Sequence, residues 1–115
     1  MTKSINLLVH PVKDLEKAKA FYSTFLGVQP YVDSPYYVGY KVGNLEVGLD
    51  PNSAVGPIAY TDVEDIKASL KEMTDVGAEI VQDVNDVGNG LQIAQVKDTN
   101  GNVVGLRQQA YASLG

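Results

Sequence analysis

One order of elements occurs twice along the chain, and that repeat constrains the fold more than any other feature. Residues 5–12 are apolar and β-branched enough for a strand. Asp14 stands where a helix N-cap is wanted. Leu15, Ala18, Phe21, Tyr22, Phe25 and Leu26 then follow at helical spacing, and Gly27 supplies a left-handed stop. Strands are predicted at about 28–33, 36–42 and 45–50, the last two joined by the hairpin signal Gly43-Asn44. The second half repeats this order: a strand at 57–63, Asp65 as cap or first-turn acid, and a helix face of Ile66, Leu70, Met73 and Val76 closed by Gly77. Strands follow at about 78–84, 91–97 and 102–108. Val12-Lys13-Asp14-Leu15 is matched by Val63-Glu64-Asp65-Ile66, and Gly43-Asn44 with Val47-Gly48-Leu49 by Gly101-Asn102 with Val104-Gly105-Leu106.

This pattern predicts an α+β fold of two βαβββ modules in tandem. Module 1 covers about 4–51 and module 2 about 56–109 of a single domain spanning 1–115, joined by the turn-rich stretch Pro51 to Gly56. Each module makes a curved sheet with a helix on one face only, so the other face must be covered or left as a cavity wall. Two such sheets side by side enclose a cleft, the expected place for a ligand.

Composition narrows the partners. A net charge of −5 argues against nucleic acid, which calls for a basic face. No stretch approaches the roughly 20 apolar residues of a membrane helix. The Met1-Thr2-Lys3-Ser4 start shows no signal region, so the expected location is the cytoplasm. The absence of cysteine removes disulfides, thiolate metal sites and a thiol nucleophile.

The run from Val9 through Asp14-Leu15 and Ala18 to Phe21-Tyr22, ending in Leu26-Gly27, resembles the opening of vicinal-oxygen-chelate domains, the glyoxalase, bleomycin-resistance and extradiol-dioxygenase superfamily. Ile58-Ala59-Tyr60, Val63-Glu64-Asp65-Ile66, Gly77-Ala78 and Asp98 to Asn102 look like the second module of the same domains. Pro35-Tyr36-Tyr37-Val38-Gly39-Tyr40 with Gly48-Leu49-Asp50-Pro51 is similar to a bacterial glyoxalase-like subgroup. The resemblance spans nearly the whole chain and implies the fold strongly. It implies the chemistry weakly, because isomerases, lyases, dioxygenases and drug-binding proteins share this fold.

In metal-binding members, ligands come from the first and fourth strands of each module. By resemblance those positions fall on Leu7, Gly48, Pro57 and Gly105, none of which carries a side-chain donor. A divalent ion wants about four to six donors. The expectation is therefore no metal and no other cofactor. If Leu7 faces the cleft, Val9 and Pro11 do too, and His10, the single histidine, points to the helix side or the sheet's edge.

Hairpin pairing extends this register. A Gly43-Asn44 turn sets Gly48 opposite Gly39, Glu46 opposite Lys41 and Asp50 opposite Tyr37. A turn closing between Asp98 and Gly101 sets Gly105 opposite Ala94 and Arg107 opposite Gln92, and a bulge there would shift the pairing by one. The expected cleft lining is thus Leu7, Val9, Tyr37, Gly39, Lys41, Glu46, Gly48, Asp50, Pro57, Ala59, Gln92, Ala94, Gly105 and Arg107. The small residues either open floor space for a ligand or admit another part of the chain. The polar pairs are either ligand contacts or ordinary cross-strand contacts. Arg107 either holds an anionic group or bridges to Glu46 or Asp50. Tyr31, Tyr36 and Tyr37 either stack on a planar ligand or seal a loop. Tyr60, by parity, is expected behind the sheet, and Asp86 to Gly90 reads as a flexible loop suited to a lid.

Three functions follow. The first, which the missing donors and the acidic balance favour, is a metal-free receptor for a small aromatic or cationic molecule, a homodimer like the bleomycin-resistance branch it resembles. The second is a metal-dependent glyoxalase-like lyase or extradiol dioxygenase. The third is a metal-independent enzyme acting on a carbonyl-bearing small molecule through Glu46, Asp50 or Arg107. Whether a reaction is catalysed at all is left open by the sequence.

Overall fold

The computed structural model describes residues 3–110 and forms two compact units, Ile5–Ala59 and a second that starts at Tyr60 and takes in Ser4. The first contains β1 (Ile5–Pro11), α1 (Leu15–Leu26), β2 (Val32–Asp33), β3 (Val38–Val42) and β4 (Leu45–Asp50). Then come β5 (Ile58–Asp62), which starts at the boundary, α2 (Ile66–Asp75), β6 (Glu79–Asp86), β7 (Gln92–Lys97) and β8 (Val103–Gln108). The strand order is β2-β3-β4-β1 in the first unit and β5-β8-β7-β6 in the second. This is an α+β fold made of two βαβββ modules.

Local chemistry sets the helix ends. The Asp14 carboxylate accepts from the Lys17 N–H at 3.1 Å, and the Asp65 carboxylate accepts from the Ala68 N–H at 3.1 Å. Gly27, with φ +70°, takes the left-handed turn that ends α1. The Gln108 side-chain oxygen accepts a second free α2 donor, the Ile66 N–H, at 2.8 Å.

Each unit builds its core between the helix and one face of its strands. In the first, Val38, Tyr40, Val47 and Leu49 pack against Leu15, Ala18, Tyr22 and Leu26 of α1. In the second, Ile66 and Leu70 of α2 pack on Ala94, Val96 and Leu106. Tyr40 is fully buried, and its hydroxyl is satisfied by donating to the Lys19 carbonyl at 3.1 Å, with Ser23 Oγ 2.9 Å away.

Several expectations need correction. Phe21 and Phe25 do not join the α1 core face; they are 62% and 71% exposed and stack on each other with ring centroids 6.1 Å apart. The stripe Leu15, Ala18, Tyr22, Leu26 is enough to cover the sheet, which leaves the two phenylalanines on its shoulder. Val76 likewise stands beyond the end of α2 and is exposed. The strand expected at 28–33 shrinks to Val32–Asp33, because Pro30 lacks the N–H that a ladder uses.

Candidate functional site

In the first unit, strand alternation sends the large apolar residues to α1 and a different set to the opposite face. Gly39 pairs with Gly48 and Lys41 with Glu46 in the β3–β4 hairpin. Strand β1 runs parallel beside β4, with Leu7 level with Glu46, Val9 with Gly48 and Pro11 with Asp50. Leu7 and Val9 are buried outside the α1 cluster. The structure therefore brings Leu7, Val9, Gly39, Lys41, Glu46, Gly48 and Asp50 onto one face. His10 lies on the other, stacked on Tyr22 of α1 with centroids 5.4 Å apart.

The glycines on this face are not open floor. A Cβ built on Gly48 would run into the Tyr37 hydroxyl and ring. A Cβ on Gly39 would meet Tyr31 Cε1 and Tyr37 Cε2, each at 3.3 Å. The two small residues thus seat two tyrosine rings. The Ser34 hydroxyl fixes the approach of Tyr37 by accepting from the Tyr37 N–H at 3.1 Å and donating to the Tyr37 carbonyl at 3.1 Å. The Tyr31 hydroxyl donates to the Glu46 carboxylate, and the Lys41 ammonium sits 4.7 Å from the Tyr31 ring centroid. A ring, an acid and a cation therefore form one corner. Asp50 lies at the end of the face and accepts from the Asn52 N–H at 2.8 Å, in a local turn. Pro57 and Ala59 leave the expected lining: alternation along β5, whose Tyr60 ring lies against Gly105, turns both to the other side of the strand.

The second unit departs from the expected register by one residue. Gly105 pairs with Gln95, Leu106 with Ala94, Arg107 with Ile93 and Gln108 with Gln92. The cause is the turn: the Asp98 N–H donates to the Asn102 carbonyl at 2.9 Å, enclosing three residues, with Gly101 at φ +91°. One more loop residue turns β7 over relative to β8. Ala94 is consequently fully buried in the α2 core, and Gln92 borders a groove beside α2 with Lys67, Leu70 and Lys71. Both leave the expected lining; Ile93 and Gln95 share the face of Gly105 and Arg107 instead.

Tyr60 is also corrected. It does not sit behind the sheet, since its ring lies where a Cβ on Gly105 would be, and its hydroxyl accepts from Gln95 Nε2 at 2.9 Å. A mid-strand glycine near a cross-strand aromatic is the sequence signal that could have found it. Arg107 pairs with an acid of its own unit. It grips Asp62 with both arms of its fork, Nε to Oδ1 at 2.6 Å and a terminal nitrogen to Oδ2 at 3.2 Å. The Arg107 side chain is 7% exposed and the Asp62 side chain 34%. That geometry seats an internal carboxylate in the bidentate fork.

Among the described residues, no three His, Cys, Asp or Glu side chains converge as a metal-holding group. Leu7, Gly48, Pro57 and Gly105 supply no donor, and the space above Gly48 and Gly105 holds phenol rings. These residues do not fit a divalent ion at those positions.

Paired βαβββ modules with a glycine-centred, tyrosine-covered sheet face define a recognisable class of protein. Residues 4–106 match the Glyoxalase/Bleomycin resistance protein/Dioxygenase superfamily, and the chain belongs to it. No curated protein matches the chain. Solved structures share the fold at low identity. A hypothetical protein from Bacillus halodurans C-125 is 15% identical with a TM-score of 0.76, covering 95% of this chain and 96% of that one. A superfamily member from Vibrio splendidus 12B01 is 16% identical with a TM-score of 0.71, covering 93% and 98%. A variant of methylmalonyl-CoA epimerase from Streptomyces coelicolor, in complex with 2-nitronate-propionyl-CoA, is 17% identical with a TM-score of 0.72, covering 94% and 95%.

Proposed function

We propose that this protein is a metal-free receptor for a small cationic aromatic molecule, bound on the tyrosine-lined face of the first module. The observation that carries this reading is the position of the Lys41 ammonium, 4.7 Å over the Tyr31 ring, while the phenol of that ring donates to Glu46. The corner already accommodates a positive charge, with the ring quadrupole and a carboxylate both favouring it. A ligand ammonium uses the same face, and its flat body stacks on Tyr31 or Tyr36, which are 49% and 74% exposed. The donor-free residues at Leu7, Gly48, Pro57 and Gly105 support the metal-free part.

Thermal-shift and calorimetric titration with benzyltrimethylammonium and its neutral carbon isostere, neopentylbenzene, tests the reading. Saturable binding of the cation alone is expected. Equal binding of both, or of neither, overturns it. Stoichiometric zinc, nickel, manganese or iron in the purified protein overturns the metal-free part.

A second reading is a metal-independent enzyme for a carbonyl-bearing substrate, favoured by the Tyr31–Glu46 hydrogen bond, which joins a proton donor to a base. The nitronate-propionyl-CoA held by the S. coelicolor fold neighbour is a ligand of that kind. Turnover of an acyl thioester that survives addition of a chelator would favour this reading over a receptor.

The proposal further takes the chain as one domain, supported by a single family match across both modules, and as a cytoplasmic homodimer. No described helix is long and apolar enough to cross a membrane. A sedimentation mass of one chain would count against the dimer.

A further inference from the structure

We infer that Asn89 is a site of spontaneous covalent modification, converting to aspartate and isoaspartate while Asn100, also exposed, is protected by its turn. The chain contains two Asn-Gly pairs, Asn89-Gly90 and Asn100-Gly101, both in exposed hairpin loops. Their local sequence chemistry is alike, because a following glycine offers no side chain to obstruct attack by its backbone nitrogen on the asparagine amide. Their structures differ in what holds that nitrogen.

At Asn100 the nucleophile is engaged. The Gly101 N–H donates to the Asp98 carbonyl at 3.1 Å. The Asp98 carboxylate fastens the rest of the turn, accepting from the Asn100 N–H at 2.8 Å, the Asn102 N–H at 2.9 Å and Asn102 Nδ2 at 3.1 Å. At Asn89 the bonds fall on either side. Val87 N–H donates to the Leu91 carbonyl at 2.8 Å, Leu91 N–H to the Gly88 carbonyl at 3.0 Å, and Gly88 N–H to Asp86 Oδ1 at 2.8 Å. Among the described residues no hydrogen bond restrains the Gly90 N–H. Three successive positive φ angles, at Gly88 (119°), Asn89 (55°) and Gly90 (79°), make a loop tip in which two of three residues are glycines, free of the Cβ clash such angles bring.

The step balances without any outside oxidant or reductant. The Gly90 nitrogen loses its proton to solvent base and bonds to Asn89 Cγ. The bond from Cγ to the side-chain nitrogen breaks, and that nitrogen leaves as ammonia. Water then opens the cyclic imide. Cleavage at Cγ leaves aspartate in an ordinary main chain, and cleavage at the α-carbonyl leaves isoaspartate with the main chain rerouted through the side chain. Either product adds a negative charge to a chain already at −5.

The intact protein, incubated at mildly alkaline pH and peptide-mapped by mass spectrometry over time, tests the inference. Releasing the Gly101 N–H and an Asp98 bond should slow Asn100 about tenfold relative to Asn89. In denaturant the turn is gone and the two rates should converge. Equal native rates, faster reaction at Asn100, or no conversion at Asn89 overturns the inference. So does a rate difference that persists in denaturant, since it would then come from sequence alone.

Discussion

The Tyr37 phenol lies where a Cβ on Gly48 would be, so the centre of β4 must be glycine for that ring to lie flat on the strand. Tyr60 stands in the same relation to Gly105, with one difference in reach. Gly48 meets the far end of a half-exposed side chain, whereas Gly105 meets the base of a ring that is 5% exposed. Gly48→Ala should therefore cost about 1 kcal/mol as Tyr37 swings aside, and Gly105→Ala about 3 kcal/mol, because Tyr60 has nowhere to go. Urea unfolding of the two variants checks the order, and a larger loss for Gly48→Ala would contradict it.

The Arg107–Asp62 pair predicts an asymmetry. Removing the acid by Asp62→Ala takes from a buried guanidinium the carboxylate that two of its nitrogens hold and should cost about 2–3 kcal/mol. Arg107→Met leaves Asp62, which is one-third exposed and can be hydrated, so the loss should be smaller. Midpoints at unchanged denaturant slope measure both.

Asp98 predicts a pH dependence confined to acid. Hydrogen bonds from the Asn102 backbone, then from its side chain, hold the Asp98 carboxyl below the usual carboxylate range, with the Asn100 and Gly101 N–H groups adding to this. A depressed folded-state value means that the ionised form stabilises the turn above the unfolded-state pKa. That stabilisation is lost as pH falls through the folded-state value, below about pH 4. Asp98→Asn should be less stable than the parent at neutral pH, and the gap should close in acid. A gap that does not change with pH would show that the charge is irrelevant to the turn.

At the proposed ligand corner, Lys41 competes with an incoming cation for the Tyr31 face. Lys41→Ala should tighten binding of benzyltrimethylammonium, and Glu46→Gln should weaken it about tenfold, the usual scale for losing one charged partner. Calorimetry on both variants decides whether the charge or only the ring matters.

The repeat, both helix caps and the β3–β4 register were legible because each follows from nearby residues: Asp14, Asp65 and the Gly43-Asn44 turn. The β7–β8 register was not. Whether Asp98 to Asn102 encloses two residues or three depends on Gly101 taking a left-handed angle, and the sequence permits either. From that single ambiguity came the misplacement of Ala94 and Gln92. The roles of Tyr37 and Tyr60 were obscured for a different reason. A strand glycine signals close approach without naming what approaches. The burial of Phe21 and Phe25 was over-read, since a periodic pattern marks a stripe but not its width.

The three-residue turn at Thr99-Asn100-Gly101 has an evolutionary corollary. Deleting a single codon there would invert which side of β7 meets β8's inward side chains, exchanging Ile93 and Gln95 for Gln92 and Ala94 in one step. Loop length, rather than strand substitution, is thus the quickest route by which descendants of this chain could acquire a new lining.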